Sequence, residues 1–302
     1  VQKLGRNQGG YRGETIGIDQ VLATVRSAAQ RHGWRVEALP VEGVGELLAL
    51  RRPAKSGDTA GRIGADVGAA GTAAAAWGPP GTPGPRVPRV YLSSGIHGDE
   101  PAGPLALRDL LEADRWPPAL ELFLCPCLNP TAFPLNRREN AAGVDLNRDY
   151  RTRHTPEVRA HTAWLERQPA FDLALCLHED WEAAGFYLYE LNPDGQPSAA
   201  ERVVAAVAEV CPIDRAPVID GRPARGGIIR PVLNLAERPD WPEAFYLLAH
   251  KTRHSYTLEA PSDFPLPTRV AALTRAVEVG LAAATCPVSR PAQTVADGRE
   301  PR

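Results

Sequence analysis

His97-Gly98-Asp99-Glu100 places an imidazole and a carboxylate three residues apart, where an apolar, strand-like run at 90–94 gives way to a helix-like run at 101–113. Two side chains at such a turn can converge on one ion. Imidazole with carboxylate suits zinc, and a catalytic zinc usually takes three protein ligands and leaves a position open for water. An H-x-x-E pair taken alone is also what an ordinary surface turn offers. His178 closes a second apolar run, 171–177, where a single histidine reads equally as a structural residue. Farther along, Thr257-Leu258-Glu259-Ala260-Pro261 ends an apolar strand on a carboxylate, which is costly to bury without a purpose. Arg137 and Arg138 read either as functional charges or as solvated loop charges, and Asn147 reads also as a turn residue. His250 and His254 have the spacing of one helical face, but the intervening Lys251 and Arg253 suggest a solvated helix; His154 and His161 read the same way.

The elements that must hold these groups are set by periodicity. Ile18, Val21, Leu22, Val25 and Ala29 form one helical face, with Gly33 as a stop signal. Two short strands are expected at 34–39 and 44–51. Residues 54–88 are Gly, Ala and Pro with almost no large apolar residue, which predicts a mobile insertion and not a packed unit. Beyond it strands at 90–94, 120–128, 171–177 and 255–259 alternate with helices at 101–113, 156–167, 197–211 and 268–284, an α/β pattern. The polar clusters fall just past the carboxyl ends of the strands, the edge where open α/β sheets bind ligands. The 286–302 tail is Pro-, Arg- and polar-rich and predicts disorder.

Composition narrows the function classes. The 302 residues carry 34 Lys+Arg against 36 Asp+Glu, a net charge of −2, which argues against a broad nucleic-acid surface or a polybasic membrane patch. No apolar run approaches the roughly 18 residues of a membrane span. The five cysteines are odd in number and lack a C-x-x-C pair, which disfavours a disulfide framework or a cysteine zinc site. Cys125 and Cys127 are expected on the same face of one strand. No secretory signal is visible at the N-terminus, so a cytoplasmic location is the expectation.

Taken together, His97-x-x-Glu100, the run Arg137-Arg138-Glu139-Asn140-Ala141-Ala142-Gly143-Val144-Asp145-Leu146-Asn147-Arg148, His178 and Glu259 resemble the zinc carboxypeptidases of the M14 (carboxypeptidase A-like) family. The resemblance runs from about residue 87 to 284 and is most specific in Gly143 to Arg148. It looks closer to the compact bacterial branch that includes murein peptide amidases. It implies a single catalytic domain over residues 1–285, with a mixed, mostly parallel central sheet of about eight strands and helices on both faces. It further implies one Zn2+ per chain held by His97, Glu100 and His178, and Glu259 as the catalytic base. Arg138 would sit at the scissile carbonyl, Asn147 and Arg148 on the substrate carboxylate, and Asp145 behind His97. The implied reaction is zinc-dependent hydrolysis of a peptide or amide bond next to a residue with a free carboxylate, with cell-wall peptides as one substrate class.

The pattern departs from the digestive members in two places. A serine succeeds their third ligand, whereas Glu179, Asp180 and Trp181 succeed His178; acids at the rim would favour a cationic substrate group or merely be solvated. The family's substrate-covering tyrosine has two candidates, Tyr246 and Tyr256, with Trp241 nearby. An N-acyl-amino-acid deacylase of the aspartoacylase/succinylglutamate desuccinylase type shares the H-x-x-E and D-L-N-R segments and is the alternative. A non-catalytic metal- or peptide-binding protein is a third, against which the intact Glu259 speaks.

Overall fold

The computed structural model describes residues 2–7, 9–55, 86–232 and 234–285. Most of the insertion expected at 54–88, and the tail at 286–302, lie outside them. In chain order the elements are α1 (Ile18–Arg31), β1 (Arg35–Val41), β2 (Gly45–Arg52), β3 (Arg89–Ser94), α2 (Ala102–Ala113) and β4 (Glu121–Cys125). They continue with α3 (Pro156–Arg167), β5 (Leu173–Asp180), β6 (Tyr187–Leu191), α4 (Ala200–Val207), β7 (Val218–Ile219), β8 (Arg222–Arg225) and β9 (Ile228–Ile229). α5 (Glu243–His250), β10 (Ser255–Pro261) and α6 (Leu266–Ala284) complete the chain.

All the strands join one mixed sheet in the order β1-β2-β4-β3-β5-β10-β6-β9-β8-β7, in which β4, β3, β5 and β10 are mutually parallel. The central strands are buried on both faces, which is why they read as unbroken apolar runs. Their residues alternate between two cores. Val90, Leu92, Leu173, Leu175 and Leu177 pack with α1, α2, α4 and α6, whereas Tyr91, Ala174 and Cys176 pack with α3 and α5. Ten strands are present among the described residues, against about eight expected. The additional pairing comes largely from β7, β8 and β9, which are two to four residues long and too short to show periodicity.

Two expectations are corrected here. Cys125 and Cys127 are both buried but belong to opposite cores, because β4 ends at Cys125 and the chain turns at Pro126. His161 is not solvated. It is 1% exposed, with Nε2 at 2.8 Å from the Tyr91 hydroxyl and Nδ1 at 2.7 Å from the Tyr150 hydroxyl. Burial pushes its pKa down to about 3. Between pH 6.5 and 3 the unfolded chain therefore takes up a proton that the folded one refuses. Stability present above pH 6.5 is lost as pH falls toward 3, by up to about 1.4 kcal/mol per unit. Urea midpoints of the wild type are expected to fall more steeply over that range than those of His161→Gln; parallel slopes would contradict this.

No helix among the described residues is long and apolar enough to cross a membrane.

Candidate metal centre

The carboxyl ends of β3, β5 and β10 lie side by side, and the sequence delivers a polar group to each. The turn from β3 into α2 carries His97 and Glu100. It is seated by Gly98, where a Cβ would come within 2.2 Å of the Ala132 carbonyl carbon, and whose N–H donates to Arg137 O at 2.9 Å. Only glycine fits that approach. His178 lies near the end of β5 on the same face as Ala174 and Cys176, since side chains alternate along a strand. Glu259 on β10 is the register partner of His178 and so projects on the same side.

A loop brings the fourth group of residues. Arg137 donates to the carbonyls of Asn140 (2.6 Å) and Ala141 (3.0 Å), and Asn140 Oδ1 accepts the N–H groups of Ala142 and Val144. Arg137 is thus a brace of the loop, not a free charge. Asp145 caps the short 3-10 helix Leu146–Arg148 by accepting Asn147 N at 2.9 Å, and Leu146 anchors it in the core.

His97, Glu100 and His178 are all buried, and one ligand atom from each lies within 4.8 Å of the others. His97 Nδ1 faces Glu100 Oε1 at 2.5 Å, and His178 Nδ1 faces Glu100 Oε2 at 3.0 Å. Asp145 Oδ1, an acceptor, lies 3.3 Å from His97 Nε2, which assigns the imidazole proton to Nε2 and leaves the Nδ1 lone pair toward Glu100. A carboxylate and two imidazoles gathered out of water make a set that a cation between them would satisfy. Two nitrogens and a carboxylate suit zinc. Burial alone would raise the Glu100 pKa, but His97 and His178 outweigh it and hold the group ionised; burial would lower both imidazoles, and Glu100 outweighs that in turn.

Arg138 Nε donates to Asp145 Oδ2 at 2.8 Å, and its Nη1 lies 3.3 Å from His97 Nδ1 and 4.0 Å from Glu100 Oε1. One carboxylate therefore orients both a candidate ligand and a candidate oxyanion donor. Burial of Asp145 would raise its pKa; the hydrogen bond from His97 and the charge of Arg138 prevail and lower it. Asn147 Oδ1 accepts Glu243 N at 2.8 Å, which commits the oxygen of its amide and leaves the NH2 to donate elsewhere. Arg148 is exposed, with Nη1 donating to Asn147 O at 2.8 Å. Arg138, Asn147, Arg148, Glu259 and the three candidate ligands line one cavity of about 650 Å³. Glu259 keeps part of its surface open to that cavity, while burial, with Glu100 and Asp180 adding to it, drives its pKa well up against the pull of His178 and Arg138.

Other expectations fare differently. Neither Tyr246 nor Tyr256 lines the cavity: the Tyr246 ring packs on Tyr150 and His250, and the Tyr256 hydroxyl accepts Ala199 N at 2.8 Å. Tyr187 and Tyr189 on β6 line it instead. Their alternation with apolar Leu188 on a strand beside β10 was the available signal. His250 ends α5, but His254 is buried just before β10, with Nε2 3.0 Å from Glu190 Oε1. Glu179 is neither a solvated nor a substrate-facing acid; it is buried and bonded to Arg269.

Residues 86–216 match the family model described as the succinylglutamate desuccinylase/aspartoacylase catalytic domain, a span that includes His97, Glu100, Asp145 and His178 but not Glu259. Carboxypeptidase SOL1 of Arabidopsis thaliana is 31% identical over 120 residues, covering 33% of this chain and only 24% of that longer protein. Among solved structures, a candidate metallopeptidase from Shewanella baltica OS155 superposes with a TM-score of 0.68 at 22% identity, covering 89% of this chain and 92% of that one. A metallo-carboxypeptidase from Pseudomonas aeruginosa in complex with (2-guanidinoethylmercapto)succinic acid gives 0.56 at 19% identity, covering 88% and 70%. One from Burkholderia cenocepacia gives 0.58 at 15%, covering 89% and 69%. The fold is that of the M14-like carboxypeptidases.

Proposed function

On this carboxypeptidase-type scaffold, we propose that residues 1–285 form one catalytic domain, a zinc-dependent hydrolase that cleaves a peptide or amide bond next to a residue with a free carboxylate. The observation that carries the reading is the convergence of His97, Glu100 and His178 beside Glu259, all at the carboxyl edge of parallel strands. Zinc held by the first three would polarise the scissile carbonyl and make water nucleophilic near neutral pH. Glu259 takes the proton of the attacking water and returns it to the leaving amine. Arg138, planar and permanently charged, donates to the oxygen on which negative charge develops. Arg148 offers a fork to the substrate carboxylate, with the Asn147 NH2 as a further donor, which selects a chain end over an internal bond. Asp145 fixes the tautomer of His97 and aims Arg138.

Asp180 and Asp220 also line the cavity; Asp180 accepts from the Tyr187 hydroxyl at 3.0 Å and Asp220 from that of Tyr189. Among the described residues no basic side chain is ion-paired to either, so they favour a cationic side chain on the released residue. The same combination of carboxylates and guanidinium occurs in the ligand of the Pseudomonas aeruginosa enzyme. The family-model match favours a second reading, removal of an acyl group from an amino acid. A panel of zinc-loaded protein with dipeptides, murein fragments, N-acetyl and N-succinyl amino acids separates them. Release of amino acids from peptides, with Lys, Arg or diamino acids ahead of Asp and Glu, is expected; turnover of the acyl amino acids alone would select the deacylase. No turnover of any member, with stoichiometric zinc, would leave a binding protein.

A further inference from the structure

Strand alternation sends Glu179 to the sheet face opposite its neighbour His178, into the apolar layer beneath α2 and α6. A carboxylate there is costly unless bonded. Its Oε2 accepts Arg269 Nη1 at 2.6 Å, with both side chains 0% exposed, and its Oε1 accepts Ala102 N at 2.6 Å. The other guanidinium nitrogen, Nη2, bonds Glu14, and Nη1 also donates to the Tyr11 hydroxyl at 3.3 Å. A buried ion pair seldom outperforms well-packed apolar residues in stability, so the pair calls for another account.

Ala102 opens α2, whose first-turn N–H groups need acceptors. The helix has none of its own: Pro101 stands at the N-cap, no side chain from that position bonds to it, and no acid occupies its first turn. Glu179 supplies both the acceptor and the negative charge from another strand, as a helix N-terminus favours. Ala102 lies two residues past the candidate ligand Glu100, and Glu179 stands immediately after the candidate ligand His178. One carboxylate thus ties together the two elements that carry facing ligands. Gly103 closes the same joint, because a Cβ there would stand 2.9 Å from Ser94 Cβ and 3.4 Å from Leu177 O. α2 rests directly on the ends of β3 and β5, and any tilt of the helix start moves Glu100 relative to His178.

We propose that Glu179 is a positioning residue: by capping α2 from β5 it sets the spacing between Glu100 and His178, and so the metal affinity of the centre. The inference rests on the metal-centre reading above but not on the reaction assigned to it. The comparison is made in full-length protein on an Arg269→Met background, which avoids stranding a buried cation. Glu179→Gln keeps an oxygen for Ala102 N, whereas Glu179→Met removes it. Zinc dissociation constants come from competition with a chromogenic chelator, and ligand geometry from the visible absorption of the Co2+-substituted proteins. Relative to the Gln variant, the Met variant is expected to bind zinc about tenfold more weakly with an altered cobalt spectrum. Equal zinc constants and superimposable cobalt spectra in the two would overturn the proposal. A purely structural role would separate their urea midpoints without separating their zinc constants. In the wild-type background, where Arg269 is also held by Glu14, Glu179→Gln alone is expected to keep its zinc affinity, and a tenfold loss would count against the cap. A wild type that binds zinc but cleaves no substrate ends the proposed function and leaves this inference standing.

Discussion

Glu259→Gln is expected to bind zinc as tightly as the wild type while kcat falls by between about 10² and 10⁴-fold, the span that general acid-base groups contribute. The amide is nearly isosteric and retains an oxygen, so the cavity keeps its shape. It cannot accept the water proton. Glu259 makes none of the facing contacts that unite His97, Glu100 and His178, so its loss leaves the candidate ligands as they are. KM is expected to change little, since Arg148 and Asn147 are untouched and an interaction lost only in the transition state lowers kcat and kcat/KM together. Zinc content by elemental analysis beside steady-state kinetics on the best peptide decides the matter. An equally active variant would remove Glu259 from the mechanism, and a variant that loses zinc would make it a ligand.

His178→Ala is expected to do the opposite and lose the metal. It deletes one of three ligands and leaves Glu100 facing only His97. The Lewis-acid contribution of a bound metal is worth several kcal/mol, so kcat/KM is expected to drop by roughly 10³-fold or more. Chelation of the wild type should reproduce that loss, with recovery on adding zinc; the variant should not recover. Zinc per chain after dialysis, measured on protein with a wild-type far-ultraviolet spectrum, supplies the check. Full occupancy in the variant would mean that the ion sits elsewhere.

The candidate metal centre is legible in the sequence because its residues fall at or just past the ends of apolar runs that are buried on both faces. Such runs are strands whichever face they serve, and the carboxyl edge of a parallel sheet gathers the polar residues at their ends. The less legible residues are those whose role depends on which face they meet. Glu179 reads as a rim acid, but one residue of alternation takes it from the cavity side to the core beneath α6. The histidine spacings 154/161 and 250/254 read as solvated because the neighbours in sequence are charged. The buried partners of His161, Tyr91 and Tyr150, come from a distant strand and from the loop before α3. Tyr187 and Tyr189 alternate with Leu188, but on a five-residue strand whose apolar residues also serve the core that signal has little contrast. Helix and strand boundaries differ by a few residues, as at α4, which is shorter than its apolar pattern because the chain tightens into turns after Val207, with Glu209 N donating to Ala206 O and Val210 N to Val207 O.

The sheet order has a further bearing on how the chain behaves in concentrated solution. A broad sheet offers two outermost strands as templates for stacking with other chains, a common start of fibrous aggregates. Here one rim is β1, where Pro40 withholds an N–H and the Glu37 carboxylate is engaged by Trp164 and Arg167. The opposite rim, β7, is two residues long. Both borders are poor templates, which protects a chain built around a single ten-stranded sheet.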